Sequence, residues 1–184
     1  MRHFLLVLSL VGCQSTPDSA HGDAAALDTQ ASAFVLTSPA LTEGGAIMPE
    51  NACAGANTSP QLAWAGAPSG TQSYAVVLTD QSINLVHWVI YDMPGDLVGL
   101  PVNVEKTYTP VSVTGAHQTT SYQAATRGYL GPCPPNIHTY QFVVYAVDVA
   151  TLPGVMVQTT RDQAIATINA HKVGYASLTG TYTP

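Results

Sequence analysis

The run Gly128-Tyr-Leu-Gly-Pro-Cys-Pro-Pro-Asn-Ile-His-Thr-Tyr140 concentrates more chemistry-bearing side chains than any other stretch of the chain. Pro132, Pro134 and Pro135 fix their own φ and push the residues before them into extended geometry, so this turn cannot be helical. The segment that follows, Tyr140-Gln-Phe-Val-Val-Tyr-Ala-Val147, is rich in β-branched and aromatic residues and predicts a strand. On an extended chain positions two apart share a face, so His138 and Tyr140 look into the same space. An imidazole, a phenol and the backbone N–H groups of a stiff turn at Gly131 and Cys133 are donors suited to a small anion.

A second segment supplies matching groups. Residues 73–79 predict a strand that ends at Asp80, and after a short loop Val86-His-Trp-Val-Ile-Tyr91 predicts another, carrying His87. A carboxylate beside an imidazole fixes its tautomer, so Asp80 is expected to orient a histidine rather than touch a ligand. The set suits a singly charged phosphate ester or a carboxylate. It lacks the Lys, Arg or metal that would tighten phosphate binding or stabilise phosphoryl transfer. Cys133, His138, His87 and Asp80 can also be drawn as nucleophile, base and orienter of a hydrolase, or as zinc ligands. A cysteine locked between two prolines is poorly placed for attack, however, and the chain is read as a non-enzyme without a cofactor. A structural protein with a vestigial pocket is the third reading.

Positioning these groups requires strands. Short apolar stretches alternate with Gly, Pro, Asn and Ser, which predicts a mainly β domain. The candidate strands are residues 33–37, 61–64, 73–79, 86–91, 111–115, 140–148 and 176–183, with Trp64 and Trp88 as core fillers. One helix is expected. Thr160-Arg-Asp-Gln163 has the form of a capping box, Ala164, Ile165 and Ile168 then fall on one face, and Gly174 lies past the end. The Thr-, Ser- and Gln-rich segment from Glu105 to Arg127 reads as one strand and a long surface loop, and His117 and His171 read as surface residues.

The 184 residues suit one domain, and 46% apolar residues can build its core. Five basic residues against eleven acidic ones argue against a nucleic-acid partner. Residues 1–12 read as a signal peptide, since Arg2 and His3 precede an apolar run too short to span a bilayer. That run ends in Leu10-Val-Gly-Cys13, which looks like the lipobox of bacterial lipoproteins, with Cys13 acylated. Residues 13–32 then form a disordered Ala-, Ser-, Asp- and Thr-rich tether, and residues 33–184 the β domain. Gln14 after the lipidated Cys13 favours the outer membrane by the sorting rule of enteric bacteria. With Cys13 consumed, two cysteines remain in an oxidising compartment, which predicts a Cys53–Cys133 disulfide.

Several of these motifs occur in an order that resembles the phosphatidylethanolamine-binding protein family, in its bacterial Raf-kinase-inhibitor-like branch. The resemblance runs from about Phe34 to Tyr182 and is carried by Cys53-Ala-Gly-Ala-Asn-Thr-Ser-Pro-Gln-Leu-Ala-Trp64, His87-Trp88, the proline turn and Leu178-Thr-Gly-Thr-Tyr182. It implies a large central β-sheet, a smaller second sheet and peripheral helices. It also implies an anion pocket at Asp80, His87, Gly131, Cys133, His138 and Tyr140, a small anion or phospholipid head group as ligand, and a kinase or protease as protein partner. Two motifs depart from the family pattern. The usual Asp-Pro-Asp is Asp80-Gln-Ser82, and the common His-Arg-Tyr is His138-Thr-Tyr140, so the pocket floor is expected to persist beneath a different rim.

Overall fold

In the computed structural model, residues 33–184 are described; the signal peptide, Cys13 and the tether lie outside them. Nine strands and one α-helix follow in order: β1 Val35–Thr37, β2 Gly45–Ala46, β3 Leu62–Ala65, β4 Ser73–Asp80, β5 Leu85–Pro94, β6 Gly99–Leu100, β7 His117–Gln118, β8 His138–Val147, α1 Arg161–His171 and β9 Lys172–Tyr182. They form a six-stranded sheet in the order β2-β9-β8-β4-β5-β7 and a three-stranded sheet in the order β1-β3-β6. The expected mainly β architecture of a large and a small sheet is therefore the one observed.

Strand β4 is central and explains its own composition. Both of its faces are covered, so Ser-Tyr-Ala-Val-Val-Leu runs almost continuously buried instead of alternating with polar residues. Tyr74, Val76 and Leu78 enter one core with Trp88, Ile90, Phe142 and Trp64, whereas Ala75 and Val77 enter a second core with Val89, Tyr91, Ala164 and Ile168. The period of two along each strand thus divides the apolar residues between two layers. Trp64 and Trp88 are both buried, as their reading as core residues requires. The Trp88 indole donates to Gln118 Oε1 at 2.7 Å and packs edge-on against Tyr129.

The helix begins where its capping box predicts. Thr160 accepts from the Gln163 backbone N–H, the Gln163 side chain reaches back, and Ala164 and Ile168 are buried against the sheet. Its end differs from expectation. Gly174 does not cap the helix, which passes straight into β9 through Lys172 in extended conformation. Gly174 instead pairs with Ala146 in the sheet, where a Cβ would press against the Pro68 ring at 2.6 Å. The requirement for glycine there is close packing, not a left-handed turn.

Residues 111–115 do not form the expected strand. Gly115 adopts φ +86°, Ala116 closes a turn onto the Val113 carbonyl, and Val111 is 83% exposed, so the apolar alternation there has no sheet to join. The pairing falls two residues later, where Gln118 lies opposite Ile90 and its amide donates to the carbonyls of Glu105 and Thr107. His117 is accordingly not a free surface residue. Its Nδ1 lies 3.5 Å from Asp92, and its ring packs against Tyr91 and Tyr108. His171 is partly exposed and meets Asp148 at 2.9 Å.

Candidate functional site

Antiparallel pairing brings three strand ends together at one end of the large sheet. Strand β4 ends at Asp80, β5 begins just before His87, and β8 begins at His138, with β4 lying between the two histidine strands. Asp80 pairs directly across from Tyr140 on β8 and from Leu85 on β5. A cavity of about 130 Å³ opens there, lined by Asp80, His87, Tyr122, His138 and Tyr140 on its polar side and by Ile83, Leu85, Cys133, Pro134 and Pro135 elsewhere. His138 and Tyr140 share a face, their rings stacked at 6.4 Å, and Tyr140 meets His87 edge-on at 5.4 Å.

Hydrogen bonds set the tautomers. Asp80 Oδ2 lies 2.6 Å from His138 Nδ1, and Asp80 Oδ1 accepts the Ser82 backbone N–H at 2.9 Å. The carboxylate thus has both oxygens engaged, orienting the histidine and closing the β4–β5 turn that in this chain has no proline. A carboxylate only accepts, so His138 Nδ1 carries hydrogen and Nε2 is left for the cavity. His87 Nδ1 donates in the same way to the Leu130 carbonyl at 2.9 Å, again leaving Nε2.

Burial holds His87 below the ordinary histidine range; the Leu130 carbonyl and the Asp80 charge oppose that shift, and the Arg161 charge adds to it. Neutral His87 therefore presents a lone pair to the cavity and becomes a donor only on taking up a proton. The two phenols behave differently. Burial, followed by the Asp80 charge, pushes Tyr140 far up, and burial likewise raises Tyr122, so both remain O–H donors.

Of the residues expected at the site, Asp80, His87, His138 and Tyr140 come together around the cavity, and Cys133 forms part of its wall. Gly131 does not line the cavity. Its N–H donates to Asn57 Oδ1 at 2.8 Å, and a Cβ built on it would overlap the Asn51 carbonyl oxygen. The turn backbone there serves the contact with residues 51–58 and offers that N–H to no ligand. Cys133 is bonded to Cys53 with Cα atoms 5.3 Å apart, as the cysteine count predicted. The drawing of Cys133 as hydrolase nucleophile or zinc thiolate is corrected accordingly, because a disulfide sulfur has no thiolate to give.

Tyr122 was missed. It sits in the Thr-, Ser- and Gln-rich segment without periodicity, and reaches His87 at a ring separation of 4.6 Å because Arg161 at the start of α1 holds the carbonyls of Thr120 and Ser121. An isolated tyrosine in a polar loop carries no pattern that would have singled it out. Ile83 on the β4–β5 turn and Leu85 at the first position of β5 were missed likewise, because neither falls within a run of readable period.

The class the structure defines is a mainly β protein of a large and a small sheet, with an Asp–His pair, a second histidine and two phenols gathered where β4, β5 and β8 meet at one end of the large sheet. The family model for phosphatidylethanolamine-binding proteins matches residues 37–183, and the chain belongs to that family. A UPF0098 protein of Methanothermobacter thermautotrophicus is 33% identical over 153 residues, covering 80% of this chain and 97% of its own. The crystal structure of Escherichia coli YbcL, titled a new member of the mammalian PEBP family, superposes with a TM-score of 0.74 at 29% identity, covering 82% of this chain and 98% of that one. LppC of Mycobacterium tuberculosis, provisionally named a lipoprotein, is 29% identical over 196 residues and covers 96% of this chain, a span that takes in Cys13, and 91% of its own. Similarity to a lipoprotein agrees with the envelope address read from the leader. Among the described residues, no helix is long and apolar enough to cross a membrane.

Proposed function

We propose that this chain is a lipid-anchored binding module of the cell envelope, without a catalytic step of its own, that holds a small phosphate- or carboxylate-bearing ligand between His87 and His138. The observation that carries the reading is the convergence of two imidazoles and two phenols on one cavity while its carboxylate has both oxygens engaged. The cavity volume of about 130 Å³ equals roughly four water molecules of liquid, the scale of one anionic head. Tyr122 and Tyr140 donate O–H, and His87 joins them as a donor when protonated or accepts the hydrogen of a singly ionised phosphate ester. With no Lys or Arg on the cavity wall, affinity lies in the range of about micromolar to millimolar. Regulation of a kinase or protease partner through the occupied pocket, and residence at the outer membrane, belong to the same proposal. They rest on the family resemblance and on Gln14 after Cys13.

Calorimetric titration of the purified domain with phosphate and acetate tests the site. Wild type binds, and the His87→Ala/His138→Ala double variant loses binding while its circular dichroism stays native. Equal binding by the double variant means the site is misassigned.

A further inference from the structure

The cavity is lopsided, with its donors on one side and an apolar wall on the other. Ile83, Leu85, Pro134 and Pro135 form that wall, and Ile83 is 59% exposed on the β4–β5 turn beside Asn84, whose φ of +53° marks the tight bend. A single exposed isoleucine is ordinary on a protein surface. This one edges a cavity whose other side carries the anion-binding groups, so any ligand held by its anionic head lays its remaining substituent near it.

The polar residues of the turn do not offset this. Ser82 Oγ accepts the Thr139 backbone N–H at 3.0 Å, and the Gln81 amide reaches the Gln141 side chain at 3.5 Å. Asp80 has both oxygens engaged, and among the described residues no other carboxylate lines the cavity. A ligand carrying an ammonium group would find no free anion at the rim and would face repulsion from His87 in the protonated state that favours its anionic end.

Building on the anion pocket proposed above, we infer that its ligand is a phosphate monoester or carboxylate whose substituent is apolar and uncharged, and that Ile83 is a specificity-determining residue for that substituent. Phosphoethanolamine and n-propyl phosphate separate the possibilities, since they differ only by an ammonium against a methyl group. Full burial of a methylene corresponds to about fourfold in affinity, and a half-open rim to about twofold. Affinity should therefore climb about twofold per carbon from methyl to n-propyl phosphate, and n-propyl phosphate should bind at least about fivefold tighter than phosphoethanolamine. Ile83→Ser, at an exposed turn position outside both cores, should flatten the alkyl series, reducing the preference for n-propyl over methyl phosphate from about fourfold to less than about twofold.

Calorimetry of the intact domain at pH 6 measures methyl, ethyl and n-propyl phosphate and phosphoethanolamine on wild type and on Ile83→Ser. The expected pattern supports the inference. Failure of every phosphate to bind, methyl phosphate included, overturns the pocket reading itself and this inference with it. Binding of methyl phosphate together with phosphoethanolamine as tight as n-propyl phosphate overturns the apolar specificity while the pocket stands. A rising alkyl series that persists unchanged in Ile83→Ser overturns the role of Ile83.

Discussion

Replacing Cys53 and Cys133 together by serine removes a covalent tie between residues 80 apart in sequence, and its effect separates folded-state from unfolded-state contributions. In the loop-entropy picture, releasing a loop of that length returns about 4.5 kcal/mol of stability to the unfolded ensemble. For a domain of about 150 residues each kcal/mol is worth roughly 2–4 °C, so the melting temperature should fall by about 10–15 °C. The pocket should nevertheless survive in the folded protein, because three hydrogen bonds hold the same two segments together. The Cys53 N–H donates to the Pro132 carbonyl at 2.9 Å, the Gly131 N–H to Asn57 at 2.8 Å, and the buried Tyr129 hydroxyl to the Asn51 carbonyl at 2.6 Å. Scanning calorimetry of wild type with and without reductant, and of the double serine variant, measures the first effect. Anion titration well below the melting point measures the second, with affinity expected within about twofold of wild type. A fall of less than about 3 °C, or two titratable thiols in denatured unreduced wild type, would refute the reasoning.

The lowered pKa of His87 makes anion binding depend on pH in a defined sense. Burial favours neutral His87 in the free protein, a bound anion favours the imidazolium, and binding therefore takes up a proton. Sulfate affinity should fall by up to about tenfold per pH unit as pH rises from the free-state value, below 6.5, to the higher bound-state value; a flat profile between pH 5 and 8 would contradict this. Gly131→Ala forces a Cβ onto the Asn51 carbonyl and should cost about 2–3 kcal/mol in urea unfolding, while a loss below about 0.5 kcal/mol would deny the close approach. Cys13→Ser should move the protein from the envelope fraction to the soluble periplasmic fraction; wild type recovered as soluble protein would exclude lipid anchoring.

What the sequence determined by itself was local in origin. Prolines 132, 134 and 135 impose extended geometry on their neighbours, so the turn, the start of the strand and the shared face of His138 and Tyr140 were all readable within a dozen residues. The capping box at Thr160 was equally local, and the Cys53–Cys133 bond followed from a count and a compartment. Tertiary structure decided everything that depends on which distant segments meet. Strand β4 lies between the two histidine strands, and the pairing of Asp80 with Tyr140 joins residues 60 apart whose side chains carry no mark of one another. The same holds for Tyr122, delivered to His87 by Arg161 from a helix some forty residues later, and for the Gly131 N–H, taken by Asn57 rather than left for a ligand. Periodicity and turn chemistry act over a few residues, whereas a binding site is built where strand register brings remote residues within hydrogen-bonding distance.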